Sequence, residues 1–313
     1  MKKIFYWSND TQENSGEGIL SRNFLKFLKT KYKNYNYINL NKFKKKNNFL
    51  YNYLLPFWGI IKIWRCHLRG NISCYINYLP IWNFFIFLFL PKETILGPIT
   101  GTTTKKNILY KFLVFIGVHI LKSKQKKILF SHDQFKKYFK NKKKYFFNFL
   151  FYRFKIDHKI SKKKFDLVFY FKKNSNKGNY FLISLIENIS YKYKIAVIGD
   201  NFPKIKNKIN IKSFRTVSRK NAHKIISLSR YALSSKENHY SFFVLDSLSK
   251  GLSVFYNKDL KLHGGFKTNM LIPIDFKDLK KSTKILNEAF SKKKQKKEFN
   301  FNIINFDRYL AND

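Results

Sequence analysis

Two carboxylates stand out in the segment SSKENHYSFFVLDSLSKG (234–251), which is otherwise apolar and basic. Glu237 follows an expected strand. Asp246 comes after eight intervening residues, on an expected helix whose apolar side chains predict a buried face. A carboxylate near the end of a strand can accept two hydrogen bonds from a vicinal diol such as ribose. We therefore expect Asp246 to hold a ribose and Glu237 to reach other sugar hydroxyls. The alternative is that both acids only solvate a helix.

A lysine-rich turn, FKKNSNKGN (171–179), offers the matching positive charge. Lys172, Lys173 and Lys177 precede Gly178 where an expected strand gives way to an expected helix. Lysine binds phosphate as a compact point charge, and a helix N-terminus presents free N–H groups to the same anion. With Asp246, this turn predicts a site for a ribose and a diphosphate, unless the lysines are simply solvated.

Two further groups of residues follow expected strands in the first half of the chain. Gly16 and Gly18 lie after the first strand, where they either let the backbone approach a phosphate or form a plain turn. His132 and Asp133 end another strand. Because histidine titrates near neutral pH, this pair can position or deprotonate an acceptor hydroxyl, or it is a structural polar pair.

Strands and helices alternate along the whole chain, which predicts an α/β fold with parallel sheets. The pattern breaks at KIDHKISKKK (155–164), so we expect two domains, 1–158 and 159–313. In open parallel sheets, ligands bind beyond the carboxyl ends of the strands. Every motif noted above begins at such an end. The expected strands are 2–8, 35–40, 72–79, 93–105, 126–135, 164–171, 193–200, 210–214, 231–235 and 252–257. The expected helices include 179–191, 218–229 and 239–250, and the very basic sequence after 126–135 is expected to be helical to about 160.

The 313 residues carry a net charge of +45, almost entirely from lysine, because only eight residues are arginine. This charge is either a solvated coat that reflects codon bias or a surface for anionic partners, namely membranes, nucleic acid or phosphorylated substrates. The excess of lysine over arginine disfavours sequence-specific contacts with nucleic-acid bases, which arginine usually makes. The sequence also contains no zinc-finger or RNA-binding signature. Nucleic acid is therefore the least favoured partner. Cys66 and Cys74 provide no disulfide framework, which favours a reducing cytosol.

The most apolar segment is LPIWNFFIFLFLP (79–91). Its uninterrupted run at 84–90 is far shorter than the ~20 residues of a spanning helix. It is either a buried element or a contact that lies on a membrane beside Trp82. The N-terminus has too short an apolar run for a signal peptide. We expect a cytoplasmic protein, with peripheral attachment to the inner membrane as a further possibility.

These motifs together resemble those of GT-B glycosyltransferases, in particular the group-1/family-4 enzymes of bacterial lipopolysaccharide and capsule assembly. The matching segments are NSGEGILSRN, FYFKKNSNKGN, AVIGD and ENHYSFFVLDSLSKGLSVF. Asp246 and Gly251 keep the family spacing. Three features depart from it: eight residues rather than seven separate the two acids, the second acid is aspartate, and lysine replaces the arginine of the phosphate clamp.

The resemblance implies two Rossmann-like domains facing a cleft and transfer of a sugar from a nucleotide-diphosphate donor. The acceptor would be a hydroxyl of a lipopolysaccharide, capsule or lipid-linked glycan. The reaction would be retaining and would use neither metal nor cofactor. Donor binding would fall to Asp246, the lysine turn with Gly178, and the two glycines, and catalysis to Glu237, His132 and Asp133. The alternatives are a non-catalytic basic protein that binds nucleic acid or membranes, and a GT-B sugar-nucleotide epimerase.

Overall fold

The computed structural model describes the chain in two compact units, one within Met1–Arg153 and the other within Phe154–Asn302. The predicted domain boundary at 158/159 lies outside the described residues. Those are all residues except 1–2, 13–14, 34, 42–48, 102–106, 131–137, 140–144, 148–150, 153–162, 174–177, 204–209, 238–239, 261, 263–265, 292–298 and 302–313.

The first unit is a parallel sheet covered by helices. Its strands are β1 (Lys3–Trp7), β2 (Asn36–Asn39), β3 (Ile72–Pro80), β4 (Ile95–Thr100), β5 (Ile128–Phe130) and β6 (Tyr145–Phe147). Its helices are α1 (Gly16–Lys31), α2 (Phe49–His67), α3 (Phe84–Phe89) and α4 (Ile108–Lys124). The strand order is β2-β1-β3-β4-β5-β6, and every pair is parallel. The chain reverses direction across the sheet between β1 and β3, which is a topological switch point.

The second unit repeats this plan. Its strands are β7 (Phe165–Phe171), β8 (Ile195–Gly199), β9 (Ile211–Ser213), β10 (Ser229–Leu233), β11 (Ser253–Asn257), β12 (Phe266–Thr268), β13 (Leu271–Ile274) and β14 (Phe299–Phe301). Its helices are α5 (Asn179–Ile189), α6 (Arg219–Ser227), α7 (Phe242–Ser249) and α8 (Leu279–Ser291). The main sheet is parallel, in the order β13-β11-β10-β7-β8-β9, and β12 pairs with β14 in a separate antiparallel ribbon. The switch point lies between β7 and β10.

Helices cover both faces of the second sheet. Helices α5 and α8 pack together on one face, over a core that includes Phe169 and Leu233. Helices α6 and α7 also pack together. They lie in the connections from β9 to β10 and from β10 to β11, which cross the sheet in the direction opposite to the connection from β7 to β8. Right-handed crossovers therefore place α6 and α7 on the opposite face from α5. The alternating strand–helix pattern and the parallel sheets that the sequence predicted are therefore confirmed.

Some local predictions were wrong. The basic segment after the fifth strand was predicted to be helical, yet β6 forms there because it pairs with β5 and satisfies its backbone groups in the sheet. The apolar segment 79–91 is not one element, because β3 ends in it, a turn follows, and α3 begins at Phe84. Among the described helices, none has the length and apolar character needed to cross a bilayer.

Candidate functional site

Two loops meet at the carboxyl edge of the second sheet, at its switch point. One loop joins β7 to α5 and the other joins β10 to α7. They are in contact, because a side chain added at Gly178 would come within 2.9 Å of the Lys236 side chain. The Lys236 carbonyl in turn accepts a hydrogen bond of 3.0 Å from Asn257 Nδ2, at the end of β11. The lysine turn and the start of the two-acid segment are thus neighbours.

Gly178 begins helix α5 in a left-handed conformation, with φ of 75°. A residue with a Cβ is strained there, so the turn needs glycine. As the N-cap residue, Gly178 has no side chain with which to cap the first turn of α5, whose first N–H groups have no partner within the helix. Asn179 Nδ2 donates to the Lys172 carbonyl over 3.1 Å, and the buried Asn179 Oδ1 has no partner among the described residues. The start of α5 therefore has the polar groups that an anion binds.

A cavity of about 980 Å³ opens beside this helix start, at the carboxyl ends of β7, β8 and β9. Two cations line it, one from the lysine turn and one from the loop after β9. Asp200 shapes the rim, because its Oδ2 accepts a hydrogen bond of 2.8 Å from the Lys173 backbone N–H. The polar and aromatic residues that line the cavity include Lys173, Asn179, Tyr180, Asp200, Asn201 and Arg215.

The sequence singled out only part of this lining. Lys173 was predicted and lines the cavity, whereas the Lys172 carbonyl is used to hold Asn179. Tyr180 and Arg215 were missed. A signal for Arg215 existed, because FRTVS (214–218) follows the β9 strand, as the other site residues follow theirs. Lys177 lies outside the described residues.

Asp246 lies one turn inside α7, where it is buried between α6 and α7. Its Oδ1 accepts a hydrogen bond of 3.0 Å from Arg219 Nη2, and its Oδ2 lies 2.9 Å from His223 Nε2. Burial raises the pKa of Asp246, but the contacts with His223 and Arg219 outweigh it and hold the pKa below its ordinary value. Asp246 is thus an ionised carboxylate with two partners on α6, which the sequence analysis did not find.

The spacing of these two partners was the missed signal. Arg219 and His223 are four residues apart, so they share one face of α6. Both residues contact the carboxylate of Asp246. Its predicted role toward a ribose stays a prediction. Helices α6 and α7 cover the face of the sheet opposite to α5, so Asp246 and the α5 start share the sheet but belong to different helix layers.

Glu237 lies in the turn after β10, half-buried and next to Lys236. It is therefore close to the switch point, at the same edge of the sheet as Gly178. Its catalytic role stays a prediction.

The glycines of the first unit lie at the start of α1. Ser15 caps this helix, because its Oγ accepts a hydrogen bond of 2.8 Å from the Gly18 N–H. A Cβ on Gly18 would lie 1.9 Å from the Gln12 carbonyl oxygen, so only glycine lets this loop pack on the helix. Gly16 has no such constraint, because its nearest contact is the Tyr78 ring at 3.6 Å. The close approach at Gly18 is thus made to the protein's own loop.

The carboxyl edge of the first sheet also holds two buried polar residues that the sequence analysis missed. Asp10 Oδ1 accepts from the Gln12 N–H at 2.8 Å, and Asn77 Oδ1 accepts from the Asn9 N–H at 2.7 Å. The second polar atom of each side chain, Asp10 Oδ2 and Asn77 Nδ2, is buried without a partner among the described residues. The predicted pair His132 and Asp133 lies outside the described residues.

No protein-family model and no curated protein matches this sequence. Solved structures do match its fold. Sucrose-phosphate synthase from Thermosynechococcus elongatus matches with a TM-score of 0.62 at 10% identity, over 93% of this chain and 90% of that chain. Anabaena HepE in complex with UDP-glucose matches with a TM-score of 0.58 at 9% identity, over 93% and 90%.

A UDP-GlcNAc 2-epimerase from Methanocaldococcus jannaschii, in complex with UDP-GlcNAc and UDP, matches with a TM-score of 0.56 at 12% identity, over 99% of this chain and 97% of that chain. Each match covers nearly all of both chains, so the similarity extends over both sheets and the order of their elements. At such low identity the likeness concerns the fold. The chain has the α/β fold of GT-B enzymes, with two Rossmann-like domains.

Proposed function

We propose that this protein is a glycosyltransferase that takes a sugar from a nucleotide-diphosphate donor held by the second unit. The observation that carries the proposal is the cavity at the carboxyl ends of β7, β8 and β9, beside the start of α5 at Gly178. Its volume of about 980 Å³ is at the upper end of the usual range for small-molecule sites. The solved structures of HepE and of the epimerase hold UDP-sugars on the same fold.

The charges around the cavity suit a diphosphate. Lys173 and Arg215 supply two cations, and the first N–H groups of α5 supply hydrogen-bond donors. Lys177 precedes Gly178 in the chain and is proposed to add a third cation. The exposed ring of Tyr180 gives a flat apolar surface on which a nucleobase can stack.

In the proposed reaction, the bond between the anomeric carbon and the donor's diphosphate oxygen breaks, and the acceptor oxygen forms the new bond to that carbon. The leaving diphosphate gains negative charge, which the cations and the helix start stabilise without a metal. Losing one such preorganised group typically costs about 3–4 kcal/mol in the transition state. The acceptor hydroxyl loses its proton, for which Glu237, His132 and Asp133 are the proposed groups. We propose retention of configuration at the anomeric carbon.

The proposed acceptor is a hydroxyl of a lipopolysaccharide, capsule or lipid-linked glycan, reached at the cytoplasmic side of a membrane. Asp246 is proposed to hold the ribose of the donor, and Gly16 and Gly18 keep their predicted roles toward the donor. A sugar-nucleotide epimerase is the second candidate, because the epimerase structure overlaps 99% of this chain. An epimerase would convert the donor sugar without any acceptor, whereas a transferase needs one.

A thermal-shift screen against UDP-, GDP-, ADP- and CMP-sugars tests this proposal. A donor present at 100 times its dissociation constant should add about 2.7 kcal/mol of stability. Substituting either Lys173 or Arg215 by Ala should weaken donor binding at least about tenfold, because each change removes a cation from the cavity.

The matched control is Lys284→Ala, which removes an exposed cation from α8 and should leave binding unchanged. The stabilising donor is then incubated with and without glycan acceptors, and the products are separated by chromatography. If no nucleotide sugar stabilises the protein, or if the cavity variants bind like the control, the proposed donor site is wrong.

A further inference from the structure

The outer surface of three helices in the first unit exposes large apolar side chains, which we name the apolar face. Helix α4 alone presents Ile108, Phe112 and Phe115, which are 82%, 58% and 68% exposed. Helices α2 and α3 add aromatic rings, among them Trp58, Trp64, Phe85 and Phe89. Single exposed apolar residues are ordinary on a protein surface, but such a cluster on adjacent helices marks a contact surface.

These side chains form one continuous surface, because α3 packs against both α2 and α4. Trp64 Nε1 donates a hydrogen bond of 2.6 Å to the Phe89 carbonyl, which joins α2 to α3. Lys124 Nζ contacts the Leu88 carbonyl, which joins α4 to α3. Other side chains of the same helices, such as Ile63 and Val118, point into the core. The exposed rings are therefore the outer side of helices whose inner side is already packed.

The segment of the chain that contains the apolar face is rich in positive charge. Between positions 54 and 127 the chain has eleven Lys or Arg residues and a single acid, Glu93. That acid is paired with Lys126, their side-chain atoms lying 2.6 Å apart. Lys62 lies over the Trp58 ring, 5.4 Å from its centre, so cation and aromatic ring share one patch. The partner that complements such a surface is apolar within and anionic at its boundary.

The tryptophans point to the same kind of partner. The chain has four, and three of them, Trp58, Trp64 and Trp82, are about 40% exposed here, while Trp7 is fully buried. Tryptophan is enriched where a membrane meets water, since its ring is apolar and its N–H is polar. No described helix is long and apolar enough to span a bilayer, so an attachment here lies along the surface.

We propose that the apolar face docks on an anionic phospholipid bilayer, with α2, α3 and α4 lying in the headgroup region. The rings enter the boundary with the acyl chains, and the surrounding lysines and arginines bind lipid phosphates. A second copy of the chain fits the face less well, because two such faces carry the same positive charge. This proposal does not depend on the proposed chemistry, since donor binding is assigned to the other unit.

The test uses the full chain and vesicles of phosphatidylcholine with or without phosphatidylglycerol. We expect at least about tenfold tighter binding to the anionic vesicles, falling as salt is added. Brominated lipids should quench the fluorescence of the three exposed tryptophans, because the rings lie at the depth of the bromine atoms. Binding without quenching would mean that only the lysine coat touches the lipid, and it would overturn the proposal.

The decisive variant combines Phe112→Ser with Phe115→Ser, two exposed positions whose change leaves the core intact. Vesicle binding should fall about tenfold or more, because apolar area no longer enters the bilayer. The control is Tyr191→Ser, an exposed ring of the second unit that is 64% accessible, which should bind like the wild type.

Two further measurements distinguish a loss of membrane binding from a loss of folding in the double variant. The unfolding midpoint shows whether the double variant is folded, and the stabilisation by a nucleotide sugar should be the same in both proteins. Equal vesicle binding by the double variant and the wild type would overturn the proposal. So would a wild-type dimer in sedimentation that the double variant lacks, because a second copy would then cover the face.

Discussion

At the scale of single residues, Asp246 shows how a carboxylate is kept ionised inside this protein. Burial alone disfavours its charge, but His223 and Arg219 on the neighbouring helix reverse that effect. Arg219 also lies over the Phe242 ring, 5.7 Å from its centre, so the guanidinium is held by a ring and a carboxylate together. The cluster therefore fixes α6 to α7.

Asp246→Ala should lower the free energy of unfolding by about 3 kcal/mol at neutral pH, because Arg219 loses its charged partner in a partly buried place. Urea denaturation without any donor measures this loss. Asp259→Ala is the control, since its pair with Lys277 is exposed and should contribute less than about 1 kcal/mol. A loss no larger than that of the control would show that the cluster does not stabilise the fold.

The stabilities of the wild type and of Asp246→Ala should also respond differently to acid. The pKa of Asp246 lies below its ordinary value, so the folded state binds fewer protons than the unfolded state near that value. The stabilisation is therefore complete above the ordinary value of 3.8 and is lost as the pH falls through the lower folded value. The difference in stability between wild type and Asp246→Ala should shrink in that window. A difference that stays constant there would contradict the depressed pKa.

At the scale of elements, the turn between β7 and α5 depends on one backbone conformation. Gly178 and Gly251 both have positive φ, of 75° and 72°, but their surroundings differ. A Cβ at Gly178 would meet the Lys236 side chain at 2.9 Å, while a Cβ at Gly251 would meet no described atom within 4 Å. Comparing Ala variants at these two positions therefore separates the effect of left-handed backbone strain from the effect of the contact between the two loops.

Either glycine replaced by Ala should cost about 1–2 kcal/mol through left-handed strain. Gly178→Ala should also displace Lys236, and it should weaken binding of UDP or another stabilising nucleotide at least about tenfold. Gly251→Ala should leave that binding as it is. Calorimetric titration with the nucleotide distinguishes the two variants. Equal affinities would show that the meeting of the loops at the switch point does not shape the donor site.

At the scale of the whole molecule, charge is the dominant feature. Lys and Arg number 63 against 18 Asp and Glu, so like charges repel over the surface of the folded chain. Exposed pairs such as Lys126 with Glu93 are too few to offset this repulsion. The same charge is what the apolar face needs to approach an anionic membrane.

Added salt should therefore stabilise the protein. Raising sodium chloride from low to physiological strength should increase the unfolding midpoint by a few degrees, or about 1 kcal/mol, because screening reduces the repulsion. Differential scanning calorimetry measures the midpoint. Potassium chloride at equal ionic strength should act alike, since the effect depends on screening and not on a bound ion. A midpoint that falls with salt would show that attractive ion pairs dominate.

The sequence by itself determined the class of fold, because strand and helix periodicities are local. The helix predicted at 179–191 is observed as Asn179–Ile189, and the glycine before it is where the turn needs it. Likewise, Ser241 begins α7 by accepting from the Val244 N–H, a signal contained in four neighbouring residues. Order along the chain, together with right-handed crossovers, was enough to predict two parallel sheets.

Only the tertiary structure decided the partners of these elements, because those contacts join residues far apart in sequence. Asp246 meets Arg219 across 27 positions, and Lys173 meets Asp200 across the same number. The cavity combines the ends of three strands, so no single segment contains its pattern. The sequence left open whether the apolar segment 79–91 is buried or lies on a membrane. Only the structure shows that rings of α2, α3 and α4 are exposed, since hydrophobicity alone does not say which side of a helix another element will cover.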